Sequence, residues 1–116
     1  MRVADRGDVY WVNPNPAKGR EMKDRHRFVA ISPREINRFG LTVMVAVTSG
    51  GEAARNMGIT VPITGHDTLG VAVCNQVRSF DLRATDRQAE FIESLDAATT
   101  NEIVSRVLSI IDPEPD

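Results

Sequence analysis

The stretch LTVMVAV at residues 41–47 decides the fold, because nearly all of its side chains are apolar. A strand of this composition is covered on both faces, so we expect it at the centre of a sheet. It runs into TSGG at residues 48–51, where two hydroxyl groups precede two glycines. Glycines allow a backbone to approach a ligand closely, and they also suit an ordinary turn. The end of this strand is therefore a candidate binding site.

Shorter segments on either side have the β-branched and aromatic composition of strands. They are residues 7–12, 27–31, 59–63, 70–77 (with 79–82 extended beyond it) and 88–92. Pro62 has no amide hydrogen, which confines its strand to a sheet edge or its own end. Of Tyr10 and Trp11, we expect one to face the core. The other is a candidate stacking surface, but core or surface packing is the favoured interpretation for both. Residues 34–39, between Pro33 and Gly40, predict a short turn or helix.

The C-terminal segment has the period of a helix. Asp96 is a candidate N-cap, and Pro113 ends the pattern. Apolar residues recur at positions 103, 104, 107, 108 and 111, which predicts one apolar stripe on a helix of about 16 residues, roughly 24 Å long. Short strands with one terminal helix indicate a single α+β domain over residues 1–116, with a strongly bent, barrel-like antiparallel sheet and an acidic tail at 112–116.

A cationic loop, AKGREMKDRHR at residues 17–27, separates the first two strands. Its five cations outnumber the carboxylates of Glu21 and Asp24, and such a loop attracts anions, of which a phosphodiester backbone is the commonest. A merely solvated loop is the alternative. The net charge of the whole chain is −2, so any anion site must be a local patch.

Other classes of chemistry have little support in the sequence. His26, His66 and Cys74 lack the spacing of metal ligands, and no paired-carboxylate motif is present. No metal or cofactor is therefore expected, and metal-free chemistry by Arg, Ser/Thr, Glu and His on an anionic substrate remains. The single cysteine fits a reducing cytoplasm. We expect no membrane association, because no apolar run approaches the ~18 residues of a membrane span. The residues MRVADR at 1–6 lack the apolar core expected of a signal peptide.

The order of several motifs resembles the MazF/PemK (Kid, ChpB) toxin family over most of the chain. They are RGDVYWV at 6–12, NP at 15–16 with GRE at 19–21, VTSGG at 47–51 and GVAVCNQVR at 70–78. The resemblance implies an SH3-like barrel homodimer. It further implies a ribosome-independent, metal-free endoribonuclease, selective for sequences in single-stranded RNA. A cognate antitoxin would neutralise it and would provide its only, indirect, contact with DNA.

The resemblance carries catalytic roles to Arg27 and Thr48, and a weaker role as general base to Glu21. The products implied for a metal-free reaction are a 2′,3′-cyclic phosphate and a 5′-hydroxyl. The chain departs from the usual family pattern at four positions, Arg20, Phe28, Val73 and Asn75. A base role at positions 20 and 75 is therefore lost. Arginine stays protonated, and asparagine takes no proton at neutral pH.

The residues expected to contact RNA lie in the cationic loop and at the ends of the middle strands. They are Lys18, Arg20, Lys23, Arg25, His26, Ser49, Arg55, Asn75, Gln76 and Arg78. Two other functions remain open: a gyrase-poisoning toxin of the CcdB type, which shares the barrel, and a non-catalytic RNA-binding barrel. Fold alone does not choose among them.

Overall fold

A computed structural model describes residues 2–49 and 59–114. These residues contain six strands and two α-helices, in the order β1 Asp8–Val12, β2 His26–Ala30, α1 Arg34–Asn37, β3 Thr42–Thr48, β4 Thr60–Ile63, β5 Gly70–Phe80, β6 Glu90–Ser94 and α2 Ala97–Ile111. The predicted α+β class, with a bent antiparallel sheet and a C-terminal helix, is confirmed. Neither helix in the described ranges is long and apolar enough to cross a membrane.

The strands form one antiparallel, strongly curved sheet in the order β4-β5-β3-β2-β1-β6. Strand β3 lies in its interior, as the composition of residues 41–47 predicts. Strand β4 lies at one edge, where the missing amide hydrogen of Pro62 costs no ladder hydrogen bond.

Both faces of the sheet carry a hydrophobic core, because successive side chains of a strand point to opposite faces. On one face, Val9, Val29 and Val45 pack together with Ile103 and Val107 of α2. The other face is centred on buried rings and includes Tyr10, Phe28, Met44, Phe80 and Leu82. We refer to the first as the helix-side core. The two-sided burial predicted for β3 is thus confirmed.

Strand β5 is longer than predicted and runs unbroken to Phe80. Its pairing with β3 shifts between two consecutive β3 residues: Val45 lies opposite Val77, whereas Ala46 lies opposite Val73. The three residues in between, 74–76, bulge out of the ladder. The polar residues Asn75 and Gln76 therefore sit in a bulge within this strand.

Strand β6 begins two residues later than predicted. A 3₁₀ turn at Thr85–Arg87 precedes it, and Gln88 has a left-handed backbone with φ of 50°. Helix α2 begins as predicted, because the Asp96 carboxylate accepts a hydrogen bond from the amide of Thr99. Its apolar stripe is only partly buried in one chain: Ile103 is fully buried, whereas Leu108 and Ile111 are 59% and 70% exposed.

Candidate active site

A cross-strand row on the helix-side face supplies the site. Trp11 of β1 lies opposite Arg27 of β2, and Arg27 lies opposite Val47 of β3. Opposite residues of antiparallel strands project from the same face. This row is one step beyond the buried row of Val9, Val29 and Val45, so it forms the open end of the helix-side core.

A pocket of about 260 Å³ lies over this row. Its lining contains two guanidinium groups, an imidazole and two hydroxyl groups, and no carboxylate from the described part of the chain. The lining residues are Trp11, Arg25, His26, Arg27, Val47, Thr48, Ser49 and Leu69. Five of these are predicted site residues. The fold therefore brings the last three residues of the cationic loop, 25–27, together with Thr48 and Ser49 at the end of β3.

Arg27 is fixed within the pocket by two different contacts. Its Nη1 donates a hydrogen bond of 3.0 Å to the backbone carbonyl of Asp67, and its guanidinium carbon lies 5.1 Å from the centre of the Trp11 ring. Its Nε is buried and has no hydrogen-bond partner among the described residues. An unpaired buried donor is costly, so an acceptor that reached this group would be favoured.

Arg25 and His26 complete the cationic side of the pocket. Arg25 donates to the Glu90 carboxylate at 2.9 Å and to the Gln88 carbonyl at 3.3 Å, which ties the end of the cationic loop to β6. It also lies 5.4 Å from the Trp11 ring. The Nδ1 of His26 is 3.1 Å from the carbonyl of Asp24. Tyr10 is buried, as expected of one of the pair, whereas Trp11 is partly exposed and its ring faces the two guanidinium groups.

Thr48 is placed by the backbone of the next strand. It pairs with Val71 at the start of β5, and Gly70 packs so closely that a Cβ there would overlap the Thr48 carbonyl. Gly70 also has φ of +117°, a conformation that L side chains rarely adopt. Both properties require glycine at this position.

Other predicted site residues lie outside the pocket. Glu21 is exposed and its Oε1 accepts a hydrogen bond of 2.8 Å from the amide of Lys18. Gln76 binds the loop backbone, accepting from the Met22 amide and donating to the Arg20 carbonyl. Its role here is to dock the loop onto β5.

Among the other predicted residues, Lys23, Asn75 and Arg78 do not line the pocket. Arg78 lies opposite Met44, donates to the Pro14 carbonyl at 2.9 Å and lies over the Phe80 ring. Lys23 and Asn75 are exposed. Arg55 and the glycines at 50 and 51 fall outside the described residues.

Sequence reasoning did not assign the turn that joins β4 to β5 to the site. It contributes the Asp67 carbonyl and the Leu69 side chain to the site. A backbone carbonyl carries no residue-type signal, so no motif could reveal this contact. Cys74 stays a packed thiol, because burial raises its pKa to about 11. Within the described residues, no three His, Cys, Asp or Glu side chains converge as a metal site.

The profile of the PemK-like, MazF-like toxins of type II toxin–antitoxin systems matches residues 5–111. The chain belongs to this family. The resemblance inferred from the order of the motifs is confirmed.

Several known proteins are similar to this PemK/MazF-like chain in sequence or in structure. Endoribonuclease PemK of Escherichia coli is 33% identical over 110 residues, covering 92% of this chain and 81% of the relative. Endoribonuclease toxin ChpB of Escherichia coli K12 is 37% identical over 83 residues, covering 69% and 72%. A crystal structure of MazF from Deinococcus radiodurans superimposes with a TM-score of 0.84 at 27% identity, covering 96% of this chain and 98% of the other.

Gly70→Ala tests whether close backbone packing places Thr48. Gly40→Ala is the matched control, because Gly40 also has positive φ, +127°, but a Cβ there meets no atom within 4 Å. Both substitutions cost about 1–3 kcal/mol in free energy of unfolding from backbone strain. We expect Gly70→Ala to cost about 1–3 kcal/mol more and to shift the amide resonances of Thr48 and Ser49. Equal destabilisation by the two variants would contradict the placement.

Proposed function

We propose that this PemK/MazF-like protein is a metal-independent endoribonuclease toxin that cleaves single-stranded RNA at selected sequences in the cytoplasm. The observation that carries the proposal is the Arg27 guanidinium, held against the Asp67 carbonyl and the Trp11 ring beside Thr48. A guanidinium held in place binds phosphate with defined geometry, and less side-chain freedom is lost on binding. The endoribonuclease activity named for PemK and ChpB supports the same reaction for this chain.

The charges of the pocket favour a phosphodiester. Arg25 and Arg27 face it without a carboxylate in the described lining, and the buried Nε of Arg27 gains a partner if a phosphate oxygen reaches it. A nucleotide base adjacent to that phosphate would stack on Trp11, as bases do on aromatic side chains of single-strand binders. Lys18, Arg20 and Lys23 extend the cationic surface along the loop, and Arg55, Asn75, Gln76 and Arg78 remain proposed contacts to flanking nucleotides.

The proposed reaction is attack of a ribose 2′-oxygen on the adjacent phosphorus. The new P–O2′ bond forms as the P–O5′ bond breaks, which leaves a 2′,3′-cyclic phosphate and a 5′-hydroxyl. The 2′-hydroxyl proton passes to a base, and the leaving 5′-oxygen takes a proton from solvent or a protein acid. Negative charge gathers on the phosphoryl oxygens in the transition state, where Arg27 and the Thr48 hydroxyl stabilise it.

Glu21 is the proposed base. A carboxylate accepts a proton at neutral pH, whereas arginine stays protonated. Glu21 lies on the same loop that leads into β2 and Arg27, and a movement of this exposed loop on binding RNA brings its carboxylate to the 2′-hydroxyl. His26 lines the pocket already, which makes it the natural comparison.

Substitution of the two catalytic residues tests the reaction. Arg27→Ala and Thr48→Ala should each lower the cleavage rate about 10²–10³-fold, since each removes a donor to the transition state. Arg83→Ala, at an exposed arginine outside the pocket, is the control and should cleave normally. The assay is cleavage of a mixed-sequence RNA in EDTA, with the new ends mapped. Full activity of a folded Arg27→Ala protein, or EDTA-sensitive cleavage giving 5′-phosphates, would contradict the proposal.

The base is tested by comparing Glu21→Gln with His26→Gln across pH. A carboxylate base must be ionised, so the rate of the wild type should fall toward acid pH. Glu21→Gln should slow cleavage and flatten this acidic limb, whereas His26→Gln should retain it. If only His26→Gln flattens the limb, the imidazole is the base.

Two protein partners are also proposed. The first is a second copy of the chain, because the exposed side chains of Leu108 and Ile111 line an apolar groove together with Ile31 and Val43. The second is an antitoxin. A crystal structure of MazE–MazF from Deinococcus radiodurans contains a chain that superimposes on this one with a TM-score of 0.79 at 27% identity. An acidic, disordered segment would suit the exposed cations of the loop, since such segments wrap large surfaces and fold on binding.

Both partners are tested by charge reversal and by mass in solution. Lys18→Glu with Lys23→Glu should weaken RNA binding and antitoxin binding together, while Arg38→Glu with Arg83→Glu, exposed cations elsewhere, should change neither. Light scattering should give twice the chain mass for each variant. A single chain mass at micromolar concentration argues against the homodimer, and undiminished inhibition with lost RNA binding argues against a shared surface.

A further inference from the structure

Three polar side chains, His66, Glu93 and Asp96, join the β4–β5 turn to two other elements. The Nε2 of His66 lies 2.8 Å from Oδ1 of Asp96, the N-cap of α2. Its Nδ1 lies 3.4 Å from Oε1 of Glu93 on β6. The two carboxylates approach opposite nitrogens of the ring, so the imidazole bridges them and the three groups do not converge on a common point. We refer to these residues as the His66 bridge.

The same turn is held on the other side of Asp67. The amide of Thr68 donates to Oε2 of Glu93 at 2.5 Å, and Thr68 is fully buried. Asp67 therefore lies between His66, which contacts β6 and the N-cap of α2, and Thr68, which binds β6. Its carbonyl is the group that accepts the hydrogen bond from Arg27, and the next residue, Leu69, lines the pocket.

We propose that His66 is a positioning residue, which acts through the Asp67 carbonyl to hold the Arg27 guanidinium in the pocket. The inference deepens the proposed nuclease function and rests on it for its kinetic consequences. Loss of the bridge frees the turn, so that the Arg27 guanidinium loses the only hydrogen-bond acceptor it has among the described residues and samples other rotamers. A small displacement of a catalytic group lowers the rate strongly, because the reacting geometry is no longer held in advance.

The bridge also makes this positioning dependent on pH. The hydrogen bond with Asp96, reinforced by the charge of Glu93, raises the pKa of His66, and partial burial opposes the shift. The pKa of Glu93 and that of Asp96 are lowered, so both carboxylates stay ionised where His66 titrates. Because the pKa of His66 is raised in the folded state, the stabilisation of the turn by the His66 bridge is complete below the ordinary pKa of histidine. This stabilisation is lost as pH rises through the raised pKa.

The kinetic test compares three variants. His66→Gln and Glu93→Gln should each lower kcat roughly tenfold or more, with the RNA dissociation constant nearly unchanged, because Arg27 is misplaced and not removed. Glu102→Gln, which removes an exposed carboxylate of α2 outside the bridge, should match the wild type. On the alkaline side, the cleavage rate of the wild type should fall as His66 loses its proton. The pH–rate profile of His66→Gln should lack this step.

A spectroscopic test is independent of RNA cleavage. The Nε–H signal of Arg27 is followed by NMR together with the ring nitrogens of His66 while the pH is raised. We expect the two to titrate together in the wild type, and the Arg27 signal of His66→Gln to stay at its high-pH position. Should His66→Gln fail to fold, the wild-type titration alone decides: an Arg27 signal that ignores His66 overturns the proposal. If the protein cleaves no RNA but the signals co-titrate, the nuclease proposal fails and the positioning stands.

Discussion

Burial of β3 on both faces is the constraint on which the rest of the structure depends. Val45 and its cross-strand neighbours pack under α2, while Met44 and Ala46 pack among the rings on the other side. This sandwiching fixes the register of β1, β2 and β3, since a slip by one residue would exchange the two faces. The register then sets Trp11, Arg27 and Val47 in one row. The pocket is thus the end of a packed core, where polar residues replace apolar ones.

Arg27 shows how the site is organised in advance. A long, flexible side chain loses conformational freedom when it binds a ligand. Here the Asp67 carbonyl and the Trp11 ring limit that freedom before any ligand arrives. Three elements that are remote in sequence meet to do this: the start of β2, the end of β1 and the β4–β5 turn. A preorganised cation of this kind stabilises charge that develops in a transition state more effectively than a mobile one.

Local composition predicts much of the fold. The apolar run at 41–47, the edge position of Pro62 and the cap at Asp96 all follow from rules that act within a few residues. The bulge at 74–76 and the later start of β6 do not, because tertiary pairing with β3 and the left-handed residue Gln88 decide them. In the site, the sequence indicates Arg27 and Thr48 by residue type and by the order of the motifs. The sequence does not indicate that Arg78, a predicted RNA contact, donates to the Pro14 carbonyl. The Asp67 carbonyl and the His66 bridge depend on contacts 25 to 40 residues apart in sequence.

We propose that a phosphodiester of RNA binds at the row formed by Trp11 and Arg27. A crystal structure with an RNA that carries a mapped cleavage site, and a 2′-deoxy sugar at that position to prevent attack, tests it most directly. We expect the scissile phosphate within hydrogen-bond distance of Arg27 and Thr48, with a neighbouring base stacked on Trp11. RNA bound on another surface, with Arg27 still in contact only with Asp67 and Trp11, would contradict it.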